Sequence, residues 1–195
     1  MTNNQVVILM GVSSTGKSSV GKAVAQTLDI KFIDGDDLHP RANIQKMASG
    51  QPLNDQDRAP WLERIGDAVY SLNNKHESGI IVCSALKKQY RDQIRQGNPQ
   101  VKFIHLHGEF DLILERLKQR AGHFMKANML KSQFDTLEAT SQETDVIEVE
   151  VNKSLPDVIR ECVVIMQTWL TPTRLDITKV TNPQSEDADI PPTEA

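Results

Sequence analysis

Gly11-Val-Ser-Ser-Thr-Gly16-Lys17-Ser18 is the segment whose residue types and spacing most directly imply chemistry. It fits G-x-x-x-x-G-K-[ST], with an apolar run, residues 6–10, before it and a helical pattern after it to about Leu28. In such a loop the backbone of Gly11, Val12, Ser13, Ser14, Thr15 and Gly16 wraps with its N–H groups toward phosphate oxygens, and the following helix adds a favourable dipole. Lys17 then reaches the β- and γ-phosphates while the Ser18 hydroxyl ligates Mg²⁺. ATP or GTP with Mg²⁺ is the expected ligand. ATPases, GTPases and small-molecule kinases share this loop, so the reaction must be read from other residues.

Asp34-Gly35-Asp36-Asp37 falls at the end of the next predicted strand, on the edge where open α/β sheets bind ligands. Two carboxylates there could divide two tasks, one holding the water shell of Mg²⁺ and the other taking a proton from an attacking hydroxyl. A capping Asp/Gly turn is the plainer alternative, but His39 and Arg41 follow directly and crowd more polar groups onto the same turn. Asp57-Arg58 reads equally as a capped helix start or an anion ligand. Lys87, Lys88 and Arg91 cluster after the third strand, which suits an anionic substrate or a solvated helix face. Arg116 and Arg120 lead into Gly122-His123, a basic flap that could close over the nucleotide; spaced i, i+4, they also fit an exposed face. His105-Leu-His107 lacks a third ligand at metal spacing, so packed histidines are expected there.

These residues need a scaffold, and the pattern of the chain supplies one. Apolar runs at 6–10, 31–34, 80–83, 101–106 and 146–151 alternate with helical patterns, as in a parallel α/β sheet. Trp61, Leu62, Ile65, Ala68, Val69 and Leu72 form the buried stripe of a long helix. The 195 residues, 38% of them hydrophobic, suffice for one domain with a real core, placed at 1–170. Residues 171–195 hold four of the nine prolines and five acidic against two basic residues, and read as a flexible acidic tail that carries most of the net charge of −4. An acidic chain argues against nucleic acid as partner. No apolar run approaches the roughly 20 residues of a membrane span, and the start lacks the basic region of a signal peptide. With only Cys83 and Cys162, both in apolar runs, the expectation is a cytoplasmic protein with free thiols.

The motifs taken together resemble a known family. The phosphate loop, residues 32–40, Asn43-Ile-Gln-Lys-Met47, Pro52-Leu-Asn-Asp55, Asp57-Arg58, Pro60-Trp61-Leu62, residues 83–88, Tyr90-Arg91-Asp92, Gly122-His-Phe-Met125 and Ser132-Gln-Phe134 are similar, in order, to gluconokinases of the P-loop, shikimate-kinase-like type. The resemblance implies ATP-dependent phosphorylation of the 6-hydroxyl of D-gluconate. It also implies a P-loop kinase fold of nucleoside-monophosphate-kinase type, with a five-stranded parallel sheet flanked by helices, a mobile lid at about 118–132, and usually a homodimer. By the same resemblance Asp36 activates the hydroxyl, Asp34 holds Mg²⁺ through water, Arg58 and Lys87 bind the substrate carboxylate, and Arg120 is a lid arginine, with Arg116 beside it on the nucleotide. His39, Arg91 and His123 complete the expected substrate-binding set. Two positions depart from the family pattern: Ser14 and Thr15 stand where the loop commonly reads Gly-Ser, and Thr140-Ser141 replaces a proline expected after the Leu-Glu pair near the adenine. The rival readings are a kinase for another polyhydroxy acid such as shikimate, and a nucleotide-sensing module without catalysis. Against the first, Ser84-Ala-Leu-Lys-Lys88 stands where shikimate kinases usually carry a Gly-rich loop.

Overall fold

Strands that are apolar along their whole length must be covered on both faces, and the strands at 6–10 and 79–82 are buried at every residue. The computed structural model describes residues 4–119 and 127–171. Its strands are β1 (Val6–Met10), β2 (Lys31–Asp34), β3 (Gly79–Val82), β4 (Lys102–His107) and β5 (Val146–Glu150), and every pairing in the order β2-β3-β1-β4-β5 is parallel. The helices are α1 (Lys17–Leu28), α2 (Arg41–Ala48), α3 (Asp55–Asn74), α4 (Lys88–Arg95), α5 (Phe110–Gln119), α6 (Ala127–Thr136) and α7 (Leu155–Leu170).

Alternation along β1 divides the interior in two. Val7 and Leu9 meet Val20 and Val24 of α1, Ile113 of α5, Leu130 of α6 and Met166 of α7. Val6, Ile8 and Met10 meet Trp61, Leu62 and Ile65 of α3 and Tyr90 and Ile94 of α4. Helix α1 therefore follows β1 onto one face while α4 follows β3 onto the other. Loops that part in this way open a crevice at the carboxyl ends of β1 and β3, the place where such sheets bind ligands.

Two glycines let backbone close in around that crevice. A Cβ on Gly11, whose φ is +136°, would stand 2.3 Å from the Leu106 carbonyl oxygen. One on Gly35 would stand 2.2 Å from the Val82 carbonyl oxygen. The segment after β2 is more ordered than its Asp/Gly composition suggests: residues 35–38 form a 3-10 turn and α2 follows it. The periodicity of α2 is faint because only Asn43 in it is buried, so no apolar stripe marks it.

Cys83 and Cys162 are free and buried as expected, and burial pushes each thiol up to about 12, which leaves both inert near neutral pH. Among the described residues no helix is long and apolar enough to cross a membrane. The expected lid at 118–132 is helical at both ends, in α5 and α6, and residues 120–126 lie outside the described residues, as does the tail beyond Thr171.

Candidate active site

The phosphate loop joins β1 to α1. Gly16, in the left-handed region, is the residue from which α1 starts, and the exposed first amides of the helix face the loop. Thr15 is buried and ties its hydroxyl to the Val12 carbonyl at 3.0 Å. Lys17 also reaches the Val12 carbonyl, at 2.7 Å, so its ammonium already lies over the loop. The Ser13 amide donates to Gln133 Oε1 at 2.7 Å, which ties α6 to the cradle. Ser14 takes a φ of +64°, and its buried Oγ has no hydrogen-bond partner among the described residues.

Asp34 closes β2 beside this loop. Its Oδ2 accepts from the Ser18 hydroxyl at 3.3 Å and its Oδ1 from the Asp36 amide at 3.2 Å. A hydroxyl and a carboxylate oxygen held together are hard donors that suit Mg²⁺, so this pair fits the metal that the loop implies. Asp36 itself is exposed on the 3-10 turn. The turn is held from below by α3, where the Trp61 indole donates to the Gly35 carbonyl at 2.7 Å.

His39 sits differently from the expected ligand. It is buried, stacked on Trp61 with centroids 4.3 Å apart, and meets the Asn43 amide at 3.3 Å. Burial, then the charge of Arg58, lowers its pKa to about 4, so the ring is neutral near pH 7 and packs the turn against α3.

The basic mouth resolves into two groups with different work. Lys87 directs its ammonium to both oxygens of Asp55, at 2.9 and 2.7 Å. Gln89 and the Tyr90 hydroxyl reach the same carboxylate at 2.9 and 2.5 Å, and Arg58 stands 3.9 Å from it. Arg91, by contrast, departs from the expected exposed anion ligand. It is fully buried, ion-paired to Glu143 at 2.5 Å, and donates to the Ala85 and Leu86 carbonyls at 3.0 Å each. A guanidinium so enclosed cannot meet a substrate from solvent; it pins the turn that presents Lys87, in which Ala85 has a φ of +42°. Its position four residues after Lys87 put it in the basic cluster, but the helical rotation turns it inward.

Arg116 donates to the Val151 carbonyl at 2.7 Å, beyond the end of β5 and on the ligand edge of the sheet. Arg120 and His123 lie outside the described residues. His105 and His107 are neighbours, with ring centroids 5.7 Å apart, and no group of three His, Cys, Asp or Glu among the described residues could hold a metal ion. Sequence reasoning missed Asp55, Gln89 and Tyr90 as a unit. Asp55 looked like one more acidic residue of a capped helix start, yet the capping box is made by Asn54 and Asp57 alone.

Comparison with known proteins agrees with this geometry. The shikimate kinase family model matches residues 13–167. The thermosensitive gluconokinase of Escherichia coli K12 is 54% identical over 156 residues, covering 80% of this chain and 83% of that protein. The thermoresistant gluconokinase of the same organism is 49% identical, covering 85% of this chain and 95% of that one. The crystal structure of a gluconokinase from Sinorhizobium meliloti 1021 superposes with a TM-score of 0.78 at 40% identity, covering 87% of this chain and 95% of that chain.

Proposed function

The chain belongs to the shikimate kinase family, among its gluconokinases, and we propose that it transfers the γ-phosphoryl group of ATP to the 6-hydroxyl of D-gluconate. The observation that carries this reading is a phosphate loop whose Ser18 touches Asp34, two residues before a second carboxylate, Asp36, exposed on the 3-10 turn beside the loop.

Asp36 accepts the proton of the 6-hydroxyl as that oxygen attacks phosphorus. Lys17 and the loop amides hold the β- and γ-phosphate oxygens and offset the charge that develops on them. Ser18, and Asp34 through water, would hold Mg²⁺, which would neutralise charge on the phosphates during transfer. Arg58 and Lys87 anchor the gluconate carboxylate by charge-assisted hydrogen bonds, which fixes the far end of the chain so that the 6-hydroxyl reaches Asp36. Arg116 lies on the nucleotide side and, with Arg120 on a mobile lid, closes over ATP and excludes water. A homodimer and a cytoplasmic location complete the proposal.

A coupled ADP-release assay across gluconate, shikimate, idonate and nucleoside monophosphates tests it. Gluconate should give the highest kcat/KM. Turnover led by shikimate would move the chain to the rival polyhydroxy-acid reading, and ADP release indifferent to every acceptor would remove kinase activity altogether.

A further inference from the structure

The Asp55 carboxylate is coordinated as a bound substrate acid would be. Lys87 spans its two oxygens, Tyr90 donates to Oδ1 and Gln89 to Oδ2, so each oxygen accepts two hydrogen bonds. Arg58 stands 3.9 Å from Oδ1, outside hydrogen-bond range, with its guanidinium over the Tyr90 ring. The charged groups are reachable, with the side chains of Asp55, Lys87 and Arg58 48%, 28% and 29% exposed, while Tyr90 is buried beneath Asp55. Asp55 reaches them from the first turn of α3, while Lys87, Gln89 and Tyr90 come from the start of α4. A second carboxylate drawn to Lys87 would meet Asp55 at contact distance, and two like charges sharing one ammonium repel.

We infer that Asp55 is a resident carboxylate standing where the substrate carboxylate binds, and that gluconate engages Lys87 by displacing it. The inference rests on the reading of Arg58 and Lys87 as the substrate anchor. Arg58 makes the first contact, because its hydrogen-bond donors are not committed to Asp55. The incoming carboxylate then takes over Lys87 and Tyr90, and Asp55 turns out toward solvent. An uncharged polyol brings Lys87 no replacement for Asp55, so the resident group biases the site toward acids. The donors that surround Asp55, Lys87 first and then Tyr90, hold its carboxyl at about 2 in the free protein. Once displaced it returns toward the ordinary aspartate range.

Four variants of the full chain and one spectroscopic titration decide the matter, with gluconate binding followed by calorimetry beside KM and kcat. Lys87→Met should raise KM and Kd for gluconate by about 10-fold or more. Asp55→Asn should lower both by about 3-fold or more, since the competitor is gone, and Asp55→Ser should do the same. In the Lys87→Met background Asp55→Asn should change Kd by less than about 2-fold, because nothing remains to compete for. In the wild-type protein the Asp55 carboxyl carbon resonance should titrate near 2 alone and move up toward the ordinary range with saturating gluconate. An unchanged Kd in Lys87→Met overturns the anchor reading, and the displacement with it. A raised Kd in Lys87→Met together with an unmoved Asp55 titration, or with Asp55→Asn binding no tighter, overturns displacement and leaves the anchor standing.

Discussion

Single residues at this site carry opposite kinds of cost, and Asp36 and Ser14 show the two. Asp36 is solvent-exposed on a turn that the Trp61 indole holds at Gly35, and its cost is in rate, since removing its charge abolishes its use as a base. Asp36→Asn should lower kcat by about 100-fold or more, since general bases contribute about 10²–10⁴ in rate. A kcat within a few-fold of wild type would take Asp36 out of the base role. Ser14 has its cost in the fold itself. An L-residue in the left-handed region costs about 1–2 kcal/mol, and a buried hydroxyl without a partner about 1–3 kcal/mol. Glycine removes both at the expense of about 0.5–1 kcal/mol of chain entropy. Ser14→Gly should therefore stabilise the protein by at least about 1 kcal/mol in urea unfolding, and a loss of stability would mean that the hydroxyl finds a partner in solution.

Among the elements, α4 does most to connect the site to its support. Its exposed start carries Lys87, Gln89 and Tyr90 toward Asp55, and its buried side carries Arg91 under the preceding turn. Glu138 reinforces this: its amide donates to the Leu86 carbonyl at 2.9 Å and its carboxylate accepts from the Lys88 amide at 2.6 Å. Glu143 receives both Arg91 and Arg95; burial pushes its carboxyl up, and the hydrogen bonds from the two arginines outweigh that and hold it below the usual range. The segment between α6 and β5 is thereby clamped to α4 by a network in which Arg91 is fully buried and Glu143 nearly so. Removing one member of a buried pair leaves the other desolvated, at about 3–5 kcal/mol. Arg91→Met should cost about 3 kcal/mol in urea unfolding, the lower end because Arg95 still reaches Glu143, and should raise KM for gluconate as the turn under Lys87 loosens. Arg91→Lys keeps the charge without the planar fork and should recover only part of the loss. A stability change below about 1 kcal/mol in Arg91→Met would show the clamp to be dispensable.

For the molecule as a whole, two imidazoles buried among the described residues shape the response to acid. His39 and His105 are each lowered to about 4, in both cases chiefly by burial. Between pH 6.5 and 4 the unfolded chain binds protons that the folded one refuses, so stability is complete above pH 6.5 and is lost as pH falls toward 4. From pH 7 to pH 5 each histidine should remove about 2 kcal/mol of unfolding free energy. Asp55, held at about 2, stays ionised through that window and adds its own loss only at lower pH. His105→Gln should reduce the measured pH 7 to pH 5 difference by roughly half. An unaltered difference would mean that His105 accepts a proton in the folded state.

The sequence by itself determined the phosphate loop and the places of the five strands, because each depends on local spacing or on apolar runs. Residue type alone could not separate Lys87 from Arg91. Both are cations in one short basic stretch, and only the packing of α4 against α3 and against the segment before β5 turns one to solvent and buries the other against Glu143. His39 is the same case in miniature, since stacking on Trp61 depends on α3 arriving beneath the turn. Asp55 was hidden for the converse reason: its partners lie 32 to 35 residues away, across two helix starts that the fold alone brings together. Local chemistry is written in neighbours along the chain. The choice between a charge that meets the substrate and a charge that holds the scaffold is made by desolvation, which exists only once the helices have packed.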